Sequence, residues 1–333
     1  MSENKQSTNP RCGVAVDMGA SHLRFVLATT DGNILEEARE QLRAEAGPSG
    51  VIAQVRDGIR SLMARRSTQP ILQGIAIGVP GGVEPQTGKV LDANNLPGWR
   101  EVNMGGELED IFRVPVYLDN DANMAAIGEH WRGRTQGIDN FVFVALGTGI
   151  GAGIFVNGQI CRGRSGFAGE LFRMNLEWPR WQEDFPDSGY LEVQVSGVAL
   201  SLEGRKILTG GNGSPGSTLT ERRDARYVFD AMHEGNESAR VLVKKSFLVL
   251  GVAVANIISL LDPERIVFNG GIVQGAPELL LSTVEEVARK IHPHPPQIEL
   301  STLGDKAQIW GALHTLLEPQ QEHAIRATNV RLV

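Results

Sequence analysis

Apolar and polar positions along the chain change period several times, and each change marks an element. Residues 13–17 (Gly-Val-Ala-Val-Asp) alternate and are β-branched, which predicts a strand. Met18 to His22 is a glycine-containing turn, Leu23–Ala28 is apolar again, and Asp31-Gly32-Asn33 precedes Ile34–Leu35. That reads as strand, tight turn, strand, turn, strand. The succession returns at Phe141–Leu146, the glycine run 147–153, Ile154–Val156, Asn157-Gly158 and Gln159–Cys161. A β-meander opening each half of the chain predicts an internal duplication at domain scale.

Between the meanders the pattern predicts a helix over 50–65, a strand over 71–79 and a Gly/Pro-rich loop from Pro80 to Trp99. A strand over 114–118 and a helix over 122–132 follow. Beyond the second meander, 162–189 reads as loop, and 204–240 as a helical excursion with a mobile loop at Thr209–Ser217. The most apolar run, Ser246 to Leu261, falls short of the ~20 residues that span a bilayer and predicts a buried helix. A strand over 266–268, the turn Asn269-Gly270-Gly271 and a last helix over 306–317 complete the pattern, with the tail after Glu318 expected to be loosely held.

Composition narrows the class. A chain of 333 residues predicts two domains of about 150 residues each. The apolar share of 41% and charged share of 21% are those of a globular protein. A net charge of -7 argues against a partner with a phosphate backbone, so no nucleic acid is expected. Two cysteines, Cys12 and Cys161, allow neither a disulfide framework nor a four-cysteine zinc site, and suit a reducing cytosol. The polar N-terminus carries no signal-peptide core, so a cytoplasmic location and no membrane role are expected.

The glycine run Gly-Thr-Gly-Ile-Gly-Ala-Gly (147–153) satisfies a loose dinucleotide fingerprint. That fingerprint needs a helix after the loop, and here a hairpin follows. Successive glycines still expose backbone N–H groups able to cradle an anion, while a plain tight hairpin remains the other reading. Asp17-Met18-Gly19-Ala20-Ser21 is a second such turn, with a carboxylate suited to a metal-phosphate and Gly19 and Ser21 as donors; Asp as a simple turn former is the alternative. Asn269-Gly270-Gly271 could let a flat ring approach the backbone, or could only start a helix. At Leu118-Asp119-Asn120-Asp121-Ala122-Asn123 a strand runs into a helix. Asp121 is expected at or near the helix N-cap, where the dipole favours its ionised form. An ionised carboxylate there could take a proton from an attacking hydroxyl, or could merely cap. Asn120 and Asn123 are expected to keep capacity for ligand hydroxyls.

These segments, VDMGASHLR, GVPGGVEPQTG (78–88), NNLPGW (94–99), LDNDANMAA (118–126) and GTGIGAGIFVNGQICRGRSGFAGE (147–170), together resemble the ROK family of repressors and sugar kinases within the actin-like, hexokinase-type superfamily. The resemblance runs from about Gly13 to Leu317. It implies an α/β fold of two actin-like (ribonuclease H-like) domains, each a mixed sheet flanked by helices, with an interdomain cleft. The expected division is a tail at 1–11, a small domain at 12–118 plus about 306–333, and a large domain at 119–305. The implied activity is ATP-dependent phosphorylation of a sugar hydroxyl with Mg2+, Asp121 matching the catalytic base. By the same resemblance Asp17, Gly19, Ser21, Gly147, Thr148, Gly149, Gly270 and Gly271 bind ATP, Asp17 lying nearest Mg2+. Gly81, Asn95, Asn120, Asp121, Glu170, Arg173 and Glu192 face the sugar, and a homodimer is implied as possible.

Where many members read Glu-x-Gly-His and carry three nearby cysteines for zinc, this chain reads Glu170-Leu171-Phe172-Arg173 with no cysteine before Glu192, so no zinc is expected. Arg173 then either contacts the substrate, favouring an anionic or unusually configured sugar, or pairs with Asp184 or Asp187 as a loop staple. Two rival functions are a sugar-responsive transcriptional regulator, for which only a short polar stretch precedes Val14, and a non-catalytic sugar-binding protein.

Overall fold

The structure, a computed structural model, describes residues 9–93, 96–177, 179, 189–208 and 225–318. In chain order the first elements are β1 (Arg11–Met18), β2 (His22–Thr29), β3 (Ile34–Gln41), α1 (Gly47–Ala64), β4 (Ile71–Val79), β5 (Gly82–Glu84), β6 (Lys89–Asp92), β7 (Arg100–Val102), α2 (Met104–Phe112), β8 (Val116–Asn120) and α3 (Asp121–Arg132). Then come β9 (Phe141–Leu146), β10 (Ile150–Val156), β11 (Gln159–Ile160), α4 (Glu192–Val195), α5 (Gly197–Leu208), α6 (Arg226–His233) and α7 (Glu237–Leu261). The last are β12 (Arg265–Asn269), α8 (Gly271–Gly275), α9 (Pro277–Ile291), β13 (Gln297–Leu300) and α10 (Ala307–Leu317).

The chain divides into two compact units. One comprises Met1–Trp131, Arg162–Ala168 and Lys306–Val333; the other comprises Arg132–Cys161 and Gly169–Asp305. Each unit is built on one five-stranded mixed sheet. Their orders are β3-β2-β1-β4-β8 and β11-β10-β9-β12-β13. In both, the opening meander is antiparallel, one later strand joins parallel to its first strand, and the last strand adds parallel beyond that one. The duplication seen in the hydrophobic pattern is thus a duplication of topology.

In the first unit, alternation along the central strands sorts side chains by size. Val14 and Val16 of β1, with Ile75, Ile77 and Val79 of β4, join Val51, Val55, Ile59 and Leu62 of α1 in one core. The opposite face of β4 carries Gly74, Ala76 and Gly78. Small residues there let helices come close: a Cβ at Gly78 would lie 3.3 Å from Met124 of α3, and one at Gly74 would lie 3.1 Å from Leu316 of α10. α3 and α10 also touch backbone to backbone, because a Cβ on Gly311 would overlap the Met124 carbonyl and one on Gly128 the Ala307 carbonyl. The loop expected over 80–99 contains instead β5 and β6, which pair with β7 as a small antiparallel sheet.

In the second unit, Val142, Val144, Ile266 and Phe268 pack against Val243, Phe247, Leu250, Val254 and Ile258 of α7 and Leu280 and Val284 of α9. Among the described residues α7 is the one helix long and apolar enough to cross a membrane, yet one face of it forms this core. The expected turn at 147–153 is shorter, with β10 beginning at Ile150. The predicted loop at Thr209–Ser217 lies outside the described residues.

Gly311→Ala tests the α3–α10 contact. Overpacking at a backbone crossing is expected to cost about 2 kcal/mol, lowering Tm by about 4–8 °C in a unit of this size. Thermal unfolding followed by circular dichroism measures it, and an unchanged Tm would show that the helices separate freely.

Candidate functional site

In the first unit, β8 delivers three polar residues to the start of α3, and each has a different task. The helix is capped by Asn120, not by Asp121: Asn120 Oδ1 accepts from the N–H groups of Ala122 at 2.8 Å and Asn123 at 3.2 Å. Its Nδ2 donates to the Gly81 carbonyl at 3.0 Å, so most of its hydrogen-bonding capacity is spent within the protein. Asn123 is buried, with Nδ2 on Asp119 at 2.8 Å. The fold thus takes up most of the capacity expected of Asn120 for ligand hydroxyls, and it encloses that of Asn123, whose Oδ1 is buried without a partner. Asp119, also buried, accepts from the Asn120 N–H and from Arg162 Nε at 2.7 Å. Sequence reasoning assigned Asp119 and Arg162 nothing; the surplus acid in Asp-Asn-Asp was the one available signal.

Asp121 is left with the backbone. Its Oδ1 accepts from the Ala122 N–H at 2.8 Å. Burial pushes its carboxyl up to about 6 from an ordinary 3.8, against the opposing pull of the Ala122 and Asp121 N–H groups. The expectation that the helix start favours the ionised form is corrected: desolvation outweighs the N–H groups. A carboxylate of that basicity is a better proton acceptor near neutral pH than an exposed aspartate.

Asp17 sits half-buried near the end of β1, paired in register with Arg24 of β2 and Gly78 of β4. The Gly19 N–H donates to the His22 carbonyl at 3.0 Å, so this donor closes the hairpin and is not offered to a ligand. Ser21 is exposed, and its carbonyl accepts from the Leu42 N–H at 2.9 Å.

In the second unit, Gly147 and Gly149 close a tight turn, the Gly147 N–H donating to the Gly149 carbonyl at 2.9 Å, with Thr148 exposed at its tip. The carbonyls of Gly147 and Thr148 accept from the first N–H groups of α5, Gly197 at 2.8 Å and Val198 at 3.4 Å. Glu192 of α4 meets the same turn, its Oε2 accepting from the Ile150 N–H at 3.0 Å. Burial pushes the Glu192 carboxyl up, with the Ile150 N–H opposing. Gly149 is what admits it, since a Cβ there would overlap Glu192 Oε2. Gly270, at φ +122°, packs against the end of β9 just before the turn, where a Cβ would overlap the Leu146 carbonyl. Asn269 holds it by accepting from the Gly270 N–H at 2.8 Å and donating to the Gly304 carbonyl at 2.7 Å. Beside it Gly271 is exposed, with nothing within 4 Å of its Cβ position.

Glu170 is half-buried and precedes a 3-10 turn over Leu171–Arg173. The Phe172 carbonyl accepts from the Leu191 N–H at 3.1 Å, which ties the Glu170 turn to the residue before Glu192. Arg173 is exposed, its guanidinium 4.9 Å over the Phe172 ring. Asn95, Asp184 and Asp187 lie outside the described residues.

Asp121→Asn isolates the burial effect. A raised carboxyl favours the fold below its unfolded pKa and loses that contribution as pH rises through about 6. The variant is therefore expected to unfold at a higher temperature than the unaltered protein at pH 7.5, with that margin shrinking at pH 4. Tm measured across this range would contradict the burial if the margin were absent or reversed.

Known proteins resemble the chain over nearly its whole length. The family model for the ROK family matches residues 13–318. A glucokinase of Halalkalibacterium halodurans is 29% identical, over 95% of this chain and 97% of its own. A putative xylose repressor of Caldicellulosiruptor sp. is 28% identical over 90% of this chain and 76% of its own. A ROK family glucokinase from Streptomyces griseus, solved in complex with glucose and AMPPNP, superposes with TM-score 0.72 and 26% identity, covering 91% of this chain and 98% of that one.

Proposed function

Because the chain belongs to the ROK family, we propose that it is an ATP-dependent sugar kinase in which Asp121 is the general base. The observation that carries this reading is the Asp121 carboxyl, raised by burial to about 6 at the start of α3. The glucokinase relative and the glucokinase solved with an ATP analogue support the reaction class and the nucleotide.

In this reaction a sugar hydroxyl oxygen bonds to the γ-phosphorus while the bond from that phosphorus to the bridging oxygen breaks and ADP leaves. The hydroxyl proton passes to the Asp121 carboxylate. Little more is asked of the protein than orientation and charge neutralisation. Gly147, Thr148, Gly149, Gly270 and Gly271 are assigned to the nucleotide, the open face at Gly271 suiting a flat ring. Ser21 adds an exposed hydroxyl. Gly19 contributes turn geometry. Mg2+ supplies charge neutralisation when bound with ATP, and Asp17 is the carboxylate suited to its water shell. Asn95, Asn120, Glu170, Arg173 and Glu192 are assigned to the sugar, with Gly81 orienting Asn120. The same reading puts the protein in the cytoplasm, where ATP is available.

The xylose-repressor likeness supports a second reading, a sugar-responsive regulator. A net charge of -7 weighs against it, and tight specific DNA retardation at low salt would favour it.

A coupled ADP-release assay over hexoses, N-acetylated amino sugars and sugar acids tests the activity. With an active sugar, kcat is expected to rise with pH through about 6 as Asp121 ionises. Asp121→Asn is expected to lower kcat by about 10²–10⁴-fold while nucleotide binding persists; undiminished turnover would remove Asp121 as the base. Arg173→Ala is expected to reorder preference between neutral and anionic sugars. An unchanged ranking would leave Arg173 without substrate contact.

A further inference from the structure

We propose that Arg162 is a positioning residue for phosphoryl transfer, acting through the buried Asp119 carboxylate on the groups that flank Asp121. The inference rests on the kinase reading above and extends it to two side chains which that reading leaves without a task.

Asp119 and Arg162 meet at 2.7 Å with side chains only 4% and 10% exposed. The two oxygens of Asp119 divide the work. Oδ2 takes Arg162 Nε, while Oδ1 takes the Asn120 N–H and Asn123 Nδ2, both at 2.8 Å. The residues bound through Oδ1 lie on either side of Asp121. Asn120 caps α3, and Asn123 sits in its first turn with Oδ1 buried and unpartnered, so Asp119 is the polar group that holds its side chain. A carboxylate this deep is costly unless a cation is paired with it. Without Arg162 it would be stranded away from water, and turning to find another partner would break the Asn120 and Asn123 contacts.

A second feature points the same way. Arg162 opens the segment Arg162–Ala168, which belongs to the first unit. This strap closes on itself through the Ala168 N–H to the Arg162 carbonyl at 3.2 Å. It lies against β5, where Cβ atoms on Gly82 and Gly166 would overlap Phe167 and the Val83 carbonyl. The residue before β5 is Gly81, whose carbonyl receives Asn120 Nδ2. The strap and the start of α3 are therefore braced on the same short strand, with Arg162 joining them directly.

The test compares Arg162→Met with the double variant Asp119→Asn/Arg162→Met, assayed well below their unfolding temperatures and normalised to folded protein. The single variant strands a buried carboxylate, and kcat is expected to fall about 10- to 100-fold with KM for ATP unchanged. In the double variant the amide replacing the Asp119 carboxylate has no charge to bury. Its oxygen can still accept from Asn120 and Asn123, so kcat is expected to return near that of the unaltered protein. A lowered Tm with unchanged kcat in Arg162→Met would reduce the pair to a structural brace and overturn the proposal. Equal loss of kcat in both variants would overturn it too, since Arg162 would then act by another route. Should Arg162→Met fail to fold, Arg162→Gln, which keeps a donor beside Asp119 but not the charge, takes its place: depressed kcat restored in the double variant supports the proposal, and unchanged kcat in Arg162→Gln overturns it. Absence of phosphoryl transfer by the unaltered protein on every sugar would instead sink the kinase reading and this inference with it.

Discussion

The buried ion pair between Asp119 and Arg162 constrains the first unit more than its size suggests. A carboxylate and a guanidinium withdrawn from water are stable only together, and removing either costs about 3–5 kcal/mol. That pressure holds a segment from the middle of the chain against the end of β8. The same carboxylate, through the oxygen that faces away from Arg162, organises the backbone entering α3. Asp121 can then stay half-buried on nearby N–H groups, because the charge balance and the helix cap are supplied by its neighbours.

Close packing completes the arrangement. β4 turns Ile75, Ile77 and Val79 to one core and glycine or alanine to the side where α3 and α10 approach. The Gly128 and Gly311 contacts bring those helices together at the backbone. The position of α3, and so of its first residue, follows from small residues on a strand and two helices far apart in sequence. In the second unit the logic is similar: Gly149 and Gly270 have no side chains because Glu192 and the Leu146 carbonyl occupy that space. Glu192 is thereby fixed to the turn at Gly149 and Ile150.

Several features are legible in the amino-acid pattern alone. The two meanders announce themselves by repeated alternation and turn residues, and the strand-to-helix step at Asp121 by a change of period. The small sheet of β5, β6 and β7 is not legible, because strands of three or four residues are too short to display a period. α9 is readable in principle, since Leu280, Val284 and Val287 have helical spacing, but no distinctive residue draws attention to it. Arg173 is visible as a departure from the family pattern, and its stacking on Phe172 gives that departure a definite geometry.

The sequence by itself determined what is local: the repeated topology, the glycine turns, and an aspartate at the end of a buried strand. These follow from side-chain period and backbone freedom, which act over a few residues. Only the tertiary structure decided which polar groups remain for a ligand. Gly19 closes its own hairpin, Asn120 caps the helix, and Asp119 is neutralised by a residue 43 positions away. Hydrogen-bonding capacity is finite and is filled by whatever the fold brings near, and partners that lie far apart in sequence leave no signal in the local pattern.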